Sequence, residues 1–578
     1  MRHRCLAGYG WFAAGLAALA LAGCATPKQP SPAAAPPLVQ HYDVIVRGGM
    51  LYDGTGAPGR IADVGVRGDR IAAVGDLSAA TAANDVDARG LAVAPGFINM
   101  LSWATDSLIE DGRGLSDIKQ GVTLEVFGEG WSYGPLNDAL KKEMASQQGD
   151  IRYDIAWTSL GGYLDFLQHK GVSPNVASFV GATTVREYVL GNANRAPDAT
   201  ELARMQELVR EAMREGALGV GSSLIYAPAA YAKTDELVAL VRAAAESGGG
   251  YISHMRSEGD RLLESVDELV DIARASGARA EAYHLKAAGA ANWPKMAQAI
   301  DRIDAARKEG LSIGANMYAY TAGGTGLYAC MDPAVQEGGL DAWIERLKKP
   351  AVRARVVREM KRPGRGWENL CFLAGSPDRI VLSGFDTEKL KPLSGRTLAD
   401  IAKERHRSPE DTIVDLVIED HSRIDTVFFL MSEDNVKLGL SQPWVALGSD
   451  EGAYAPEGVF LKRKAHPRAY GNVARFLGRY VRDGHVASLA DAVRRLSSMP
   501  ADAWKLKDRG RVAESSYADI VVFDPAKVAD PATFDEPAQL ALGVRDVFVN
   551  GVAVLRNGEH TGATPGRVVR GPGWQGSP

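Results

Sequence analysis

The sequence predicts an α/β protein: a (β/α)8 TIM-like barrel with a small β-sandwich domain built from both chain ends. Three observations lead there. Across residues 95–504, short apolar runs that end in polar residues alternate with amphipathic helical segments. Eight such runs fall within that one stretch. Outside it, residues 42–94 and 505–570 share a different texture of short β-rich pieces and Gly/Asp turns, and neither is long enough to bury two faces alone. An open doubly wound sheet has the same alternation of strand and helix, so the count of eight carries the choice of a barrel.

In chain order, the first signal is Arg2 and Arg4 ahead of an apolar run at 11–22, too short to span a bilayer and suited to a signal-peptide core. It ends in Leu21-Ala22-Gly23-Cys24, which resembles a bacterial lipobox. Residues 1–23 are then a lipoprotein signal peptide and Cys24 carries lipid; a plain secretory signal with a chance cysteine is the alternative. Residues 24–41, rich in Pro, Ala and Ser, read as a flexible tether. The first sandwich segment contains DVIVRGG and DVGVRGDRIAAVG, and the second ADIVVFDP, VRDVFVNG and VAVLRNG; residues 571–578 form a tail. Barrel strands are expected at GFINM, 121–128, 177–181, 217–224, 251–254, 280–284, 312–318 and 444–450. Between them lie helices such as ELARMQELVREAMREG and TDELVALVRAAAESG, the latter with Thr234 as its expected N-cap. The interval 331–425 exceeds one crossover and predicts an inserted subdomain. Gly323-Gly324-Thr325-Gly326 reads as a tight loop.

Composition narrows the partners. Lys plus Arg is 66 against 71 for Asp plus Glu, a net charge of −5, with no basic run, so nucleic acid is not an expected partner. Four cysteines exclude a disulfide scaffold, and no C-x-x-C pair points to a zinc knuckle. Cys330 and Cys371 are free to pair in an oxidising compartment, though no spacing rule compels it.

Polar residues at the ends of barrel strands face the shared mouth where active sites are built. His254 and His284 each end an apolar strand and lie one βα repeat apart. Adjacent parallel strands are about 5 Å apart, so both imidazoles can reach one cation. Glu129 and Asp450 follow two further strands. Two imidazoles and a carboxylate suffice for a catalytic zinc with one position left for water. Each residue also has a structural reading: Asp450 as a helix cap, Glu129 as the partner of an arginine. Lys286 and Arg256 each lie two residues beyond a histidine, on the same strand face, so both cations can approach the mouth; Arg256 can equally pair with Glu258 or Asp260.

Taken in order, LYDGTGAPGRIADVGVRGDRIAAVG, APGFI, GVTLEVFGEGWSYGP, SHMRSEGDRLLESVDE, YHLK, MYAYTAGGTG, GSDEG and ADIVVFD resemble the amidohydrolase superfamily, and within it the N-acyl-D-amino-acid deacylases. The resemblance spans about residues 42–570. It implies hydrolysis of an amide by metal-activated water. The sequence departs from the family at the first strand, where His-x-His normally follows Pro-Gly-Phe-Ile-Asp; here Asn99-Met100-Leu101-Ser102-Trp103 follows Pro95-Gly96-Phe97-Ile98. Glu129 stands where similar deacylases place a cysteine ligand. The resemblance implies that the position depending on His-x-His is lost, and that Glu129, His254 and His284 hold one Zn2+ per chain. Ser102 and Trp103 are expected to replace the missing ligands without imitating them.

By the same resemblance Asp450 is the catalytic base, and Lys286, Tyr318 and Tyr226 hold the α-carboxylate of an N-acyl amino acid or related small-molecule amide. A cyclic-amide or dipeptide hydrolase on the same barrel is an alternative, as is a catalytically degenerate binding lipoprotein. Ala25 follows Cys24 where an aspartate would favour the inner membrane, so the expected place is the Gram-negative-type cell envelope, lipid-anchored in the outer membrane and facing the periplasm.

Overall fold

The computed structural model describes residues 40–576. The signal peptide, Cys24 and nearly all of the tether lie outside the described residues, as do the last two residues of the tail. Within the described residues, 41–576 form one compact unit.

The two chain ends meet in a single nine-stranded sheet. Strand Ala92–Pro95 from the first segment pairs antiparallel with Ile520–Phe523 from the second, with Ile520 opposite Pro95 and Phe523 opposite Ala92. Val44, Val64 and Val93 from one end and Ile520, Val522 and Phe548 from the other fill a shared apolar cluster, which explains why neither end could fold alone. The sandwich is thus one continuous sheet enclosing its own core.

The chain passes from this layer into the barrel at Gly96, where a Cβ would meet Thr123 Oγ1 at 2.1 Å, so only glycine lets the two strands approach. Eight parallel strands follow: Phe97–Asn99, Val122–Phe127, Asn175–Ser178, Gly219–Ser223, Gly250–His254, Ala280–Ala282, Ile313–Met317 and Val445–Leu447. Six lie within an expected run, the third begins two residues before its run and the fifth one residue before. Met100 N–H donates to Leu447 O at 3.0 Å and joins the eighth strand to the first, while Leu218 N–H donates to Ser178 O at 2.9 Å and joins the third to the fourth. The strands are short and buried on both faces, as in sheets covered by helices.

The crossover helices follow from local rules. Ala199–Arg214 opens with a capping box between Asp198 and Glu201 and buries Met205, Leu208, Val209, Ala212 and Met213 at helical spacing. Helix Thr234–Ala245 departs from the expected capping: Lys233 holds the N-cap position, and Thr234 turns its hydroxyl to Glu268 at 2.7 Å. A neighbouring carboxylate on the next helix outcompetes the local backbone for that hydroxyl.

Between the seventh and eighth barrel strands the inserted subdomain forms its own four-stranded sheet, in the order Gly323–Gly326, Asp425–Phe428, Ile380–Gly384, Arg396–Thr397. Its helices include Gly339–Leu347, Pro350–Met360 and Pro409–Asp420. The Gly323–Gly326 segment, expected to be a loop, is an edge strand whose glycines pair with Asp425–Phe428. Its sequence hid this because glycine carries no strand propensity; pairing with a regular neighbour supplies the conformation. Cys330 and Cys371 form a disulfide that ties the start of the insertion to helix Leu370–Ala374. No helix of the described residues is long and apolar enough to cross a membrane.

Candidate metal centre and active site

A cavity of about 670 Å³ opens at the end of the barrel where the strands point their last residues. Glu129, His254, His284, Lys286, Tyr226, Tyr318 and Asp450 all line it. Of the sequence-derived site residues in the described part of the chain, only Arg256 does not.

Glu129 follows the second strand between Gly128 (φ 105°) and Gly130 (φ 77°). A Cβ on Gly128 would meet Phe179 O at 2.4 Å, and one on Gly130 would meet Ser223 Cβ at 2.4 Å, so the paired glycines let the loop thread between the third and fourth strands and aim Glu129 inward. Glu129 Oε1 lies 3.1 Å from His254 Nδ1 and 2.8 Å from His284 Nε2. One ligand atom from each of the three buried residues falls within 4.8 Å of the others. A carboxylate oxygen and two imidazole nitrogens, with no fourth protein donor in the group, fit a catalytic zinc that keeps an open position.

Second-layer contacts fix this donor set. Trp103 Nε1 donates to Glu129 Oε2 at 2.9 Å, leaving Oε1 to face the histidines. The indole that stands in place of a first-strand histidine therefore does orient a ligand, which the sequence did not foretell. His284 sits at φ 33°, a left-handed value rare for a β-branched or bulky side chain, and its N–H is held by Asn316 Oδ1 at 2.9 Å. Lys286 Nζ donates to Glu258 Oε1 at 2.5 Å and to His284 O at 3.0 Å, and His284 Nδ1 lies 2.9 Å from the same Glu258 Oε1. Glu258, braced by Lys286, thereby holds the ring of His284 with its Nε2 toward Glu129. Glu258, missed in the sequence because it lies four residues past the end of its strand, is the buried anion that keeps this lysine in place.

Electrostatics follow from these contacts. Burial opposes charge on Glu129, yet His284 and His254 outweigh it and hold the carboxyl well below the usual range. Burial and the Lys286 cation both oppose charge on His284, and Glu258 and Glu129 on either side overcome them, raising it to about 9. To act as a metal ligand through Nε2, His284 would give up that proton.

Asp450 follows the eighth strand with φ 55°. Arg468 Nη1 lies 2.9 Å from its Oδ2, and Arg468 Nη2 donates to Asp450 O at 2.6 Å. Burial raises the Asp450 carboxyl despite that arginine, with Glu129 adding to the rise. Arg468 is itself buried and lies 4.4 Å over the Tyr318 ring; it ends no strand, so the strand-end search missed it. Tyr318 Oη is buried and has no hydrogen-bond partner among the described residues. Tyr226 receives the Thr325 hydroxyl at 2.9 Å and sets its ring 5.2 Å from that of His254. Arg256 is occupied on the outside by both carboxylate oxygens of Glu268, each at 2.9 Å, so the expected structural pair forms with a partner other than Glu258 or Asp260.

Residues 85–555 match the amidohydrolase family. The chain belongs to that family. This amidohydrolase is 33% identical to a D-aminoacylase of Alcaligenes xylosoxydans xylosoxydans over 92% of its own length and 98% of the relative's. A solved N-acyl-D-glutamate deacylase from Bordetella bronchiseptica, bound to zinc and a phosphonate mimic of the tetrahedral intermediate, is 30% identical, covers 92% of this chain with 100% of its own, and superposes with a TM-score of 0.76. A solved D-aminoacylase with a binuclear metal centre, activated by one metal and attenuated by the second, is 32% identical over 92% of this chain and 100% of its own, with a TM-score of 0.76. The amidohydrolase described here shares their barrel and sandwich and lacks the first-strand His-x-His.

Proposed function

We propose that this amidohydrolase cleaves N-acyl amino acids to a carboxylate and a free amino acid, using a single zinc held by Glu129, His254 and His284. The observation that carries this reading is the buried convergence of those three ligand atoms within 4.8 Å at the floor of the cavity. The relatives named above, which act on N-acyl-D-amino acids by name, support the substrate class. The one-metal activation of the solved D-aminoacylase supports a site of one metal, as does Leu101-Ser102-Trp103 in place of further histidines.

When bound, the zinc supplies polarisation of the scissile carbonyl and acidification of a water. The protein's own groups do the rest. Arg468 occupies Asp450 Oδ2, which leaves Oδ1 to take the proton of the attacking water and return it to the amide nitrogen as the C–N bond breaks. The water oxygen ends in the new carboxylate and the amine leaves neutral. Tyr318 Oη and Arg468 form the polar end that receives the α-carboxylate, with Lys286 held back by Glu258 and the His284 carbonyl. Tyr226 walls the other side of the zinc position.

Metal analysis of the purified protein should find one zinc per chain; chelation should abolish hydrolysis of N-acetyl amino acids, and added zinc should restore it. His254→Ala and His284→Ala should each lower zinc content and turnover together. Full turnover in metal-free protein would overturn the reading. We further propose that the enzyme is anchored by lipid on Cys24 and faces the periplasm, a placement supported by the lipobox-like motif and by the Cys330–Cys371 disulfide. Cys24→Ala should then shift it from the membrane fraction to an unanchored or unprocessed form; unchanged fractionation would count against the anchor.

A further inference from the structure

Three arginines among the described residues line the cavity: Arg423, Arg463 and Arg468. Arg468 is paired with Asp450, and Arg463 with Asp386 and Asp425. Arg423 differs. Among the described residues no carboxylate oxygen comes within 4.0 Å of it, and its guanidinium makes no ion pair or hydrogen bond there; two aromatic rings hold it instead, Tyr328 at 5.1 Å and Trp131 at 5.6 Å. Glu187, whose field Arg423 shares, accepts the Trp131 indole N–H at 3.4 Å, and burial pushes its carboxyl up to about 8, so it supplies no full countercharge at neutral pH.

A guanidinium stacked between rings keeps its five edge donors free, and that planar fork matches a carboxylate. Its position gives the anion a place on the substrate. Trp131 and Tyr328 pack against Tyr226 at 6.1 Å and 5.3 Å, and Tyr226 packs against His254. Arg423 is therefore two aromatic layers from the metal centre on the His254 side. The Tyr318–Arg468 end lies beyond His284, with Tyr318 6.3 Å from that ring. One carboxylate cannot serve both ends.

We propose that Arg423 is a second carboxylate-binding subsite and that the preferred substrates carry two carboxylates, one on each side of the metal centre. This rests on the N-acyl amino acid reading and makes it more specific. The second carboxylate has two chemical sources, an acidic amino-acid side chain or a dicarboxylic acyl group. Arg423 is a specificity residue presented by the insertion, two positions before strand Asp425–Phe428, and touches none of the metal ligands.

The test uses the zinc-loaded full protein and Arg423→Gln, with Arg423→Lys as the charge-retaining variant. Hydrolysis of N-acetylglutamate, N-succinylleucine and N-acetylleucine, in both D and L forms, is measured together with calorimetric binding of glutarate. In the wild type, kcat/KM should favour one of the two dicarboxylates over N-acetylleucine by 10-fold or more, and which one identifies the source. Arg423→Gln should lose about 10- to 100-fold on that substrate, mainly in KM, and leave N-acetylleucine within about twofold. Arg423→Lys should recover only part, because an ammonium neither stacks between the rings nor presents a fork. Glutarate binding should weaken in parallel, and unaltered glutarate affinity in Arg423→Gln would overturn the inference. If no N-acyl amino acid is hydrolysed at all, the functional reading fails while the glutarate measurement still decides the subsite.

Discussion

In the proposed mechanism Asp450 and Arg468 are the residue pair on which proton transfer and charge balance both depend. Asp450→Asn keeps the shape of the side chain but cannot accept a proton at neutral pH, so turnover should fall by about 10²-fold or more while zinc content stays at one per chain. The same change leaves the buried Arg468 with only Glu451 nearby, 3.9 Å from Nε, so thermal stability should fall as well. Loss of zinc in this variant would make Asp450 a ligand, and retained turnover would remove it from the proton path. Trp103 gives a second prediction. Trp103→Phe removes the N–H that holds Glu129 Oε2 and should weaken zinc binding by about 10- to 100-fold, read by competition with a chelating dye. Unchanged affinity would return Trp103 to the spectator role that the sequence implied. Strand-end logic found Glu129, His254, His284 and Asp450 because each follows an apolar run. It could not find Arg468 or Arg423, whose places depend on chain returning from distant parts of the fold, nor Glu258, four residues past the end of its strand.

At the scale of elements, the eight barrel strands were legible because burial on both faces turns each into a short apolar run closed by polar residues. The second strand breaks that rule at Glu125, fully buried within Val122–Phe127. Burial pushes its carboxyl up to about 7, against hydrogen bonds from Ser102 and Asn99, and Asp117 on helix Leu115–Ile118 is raised in turn by burial and by Glu125. A carboxyl that binds its proton more tightly folded than unfolded stabilises the fold below its unfolded pKa, and this contribution is lost as pH rises through about 7. Glu125→Gln keeps an acceptor for Asn99 Nδ2, which now meets Glu125 Oε2 at 2.9 Å, and removes the titration. The variant should match the wild type at pH 5 and exceed it at pH 8 by on the order of 2 kcal/mol in urea unfolding. Equal pH dependence in the two proteins would show that Glu125 is ionised in the folded state. The Gly323–Gly326 strand shows the opposite limit of legibility, since its conformation comes from its neighbour.

Over the whole molecule, the three proposed metal ligands come from barrel strands or the loops that leave them, whereas Tyr328, Arg423 and the Gly323–Gly326 edge come from the insertion. The proposed metal binding and substrate selection therefore fall on parts of the chain with separate supports. The Cys330–Cys371 bridge closes a 41-residue separation within the insertion and sits two positions from Tyr328. Removing a native cross-link of this kind typically costs about 2–4 kcal/mol, and here the loss should fall on the insertion. Cys330→Ser with Cys371→Ser should make that subdomain more sensitive to limited proteolysis and raise KM, because the rings that hold Arg423 lose their anchor. Zinc affinity should remain within about threefold, since none of the ligands depends on the bridge. A loss of zinc in parallel with the rise in KM would mean that the insertion also braces the barrel mouth, and the division between a metal-holding barrel and a substrate-selecting insertion would fail.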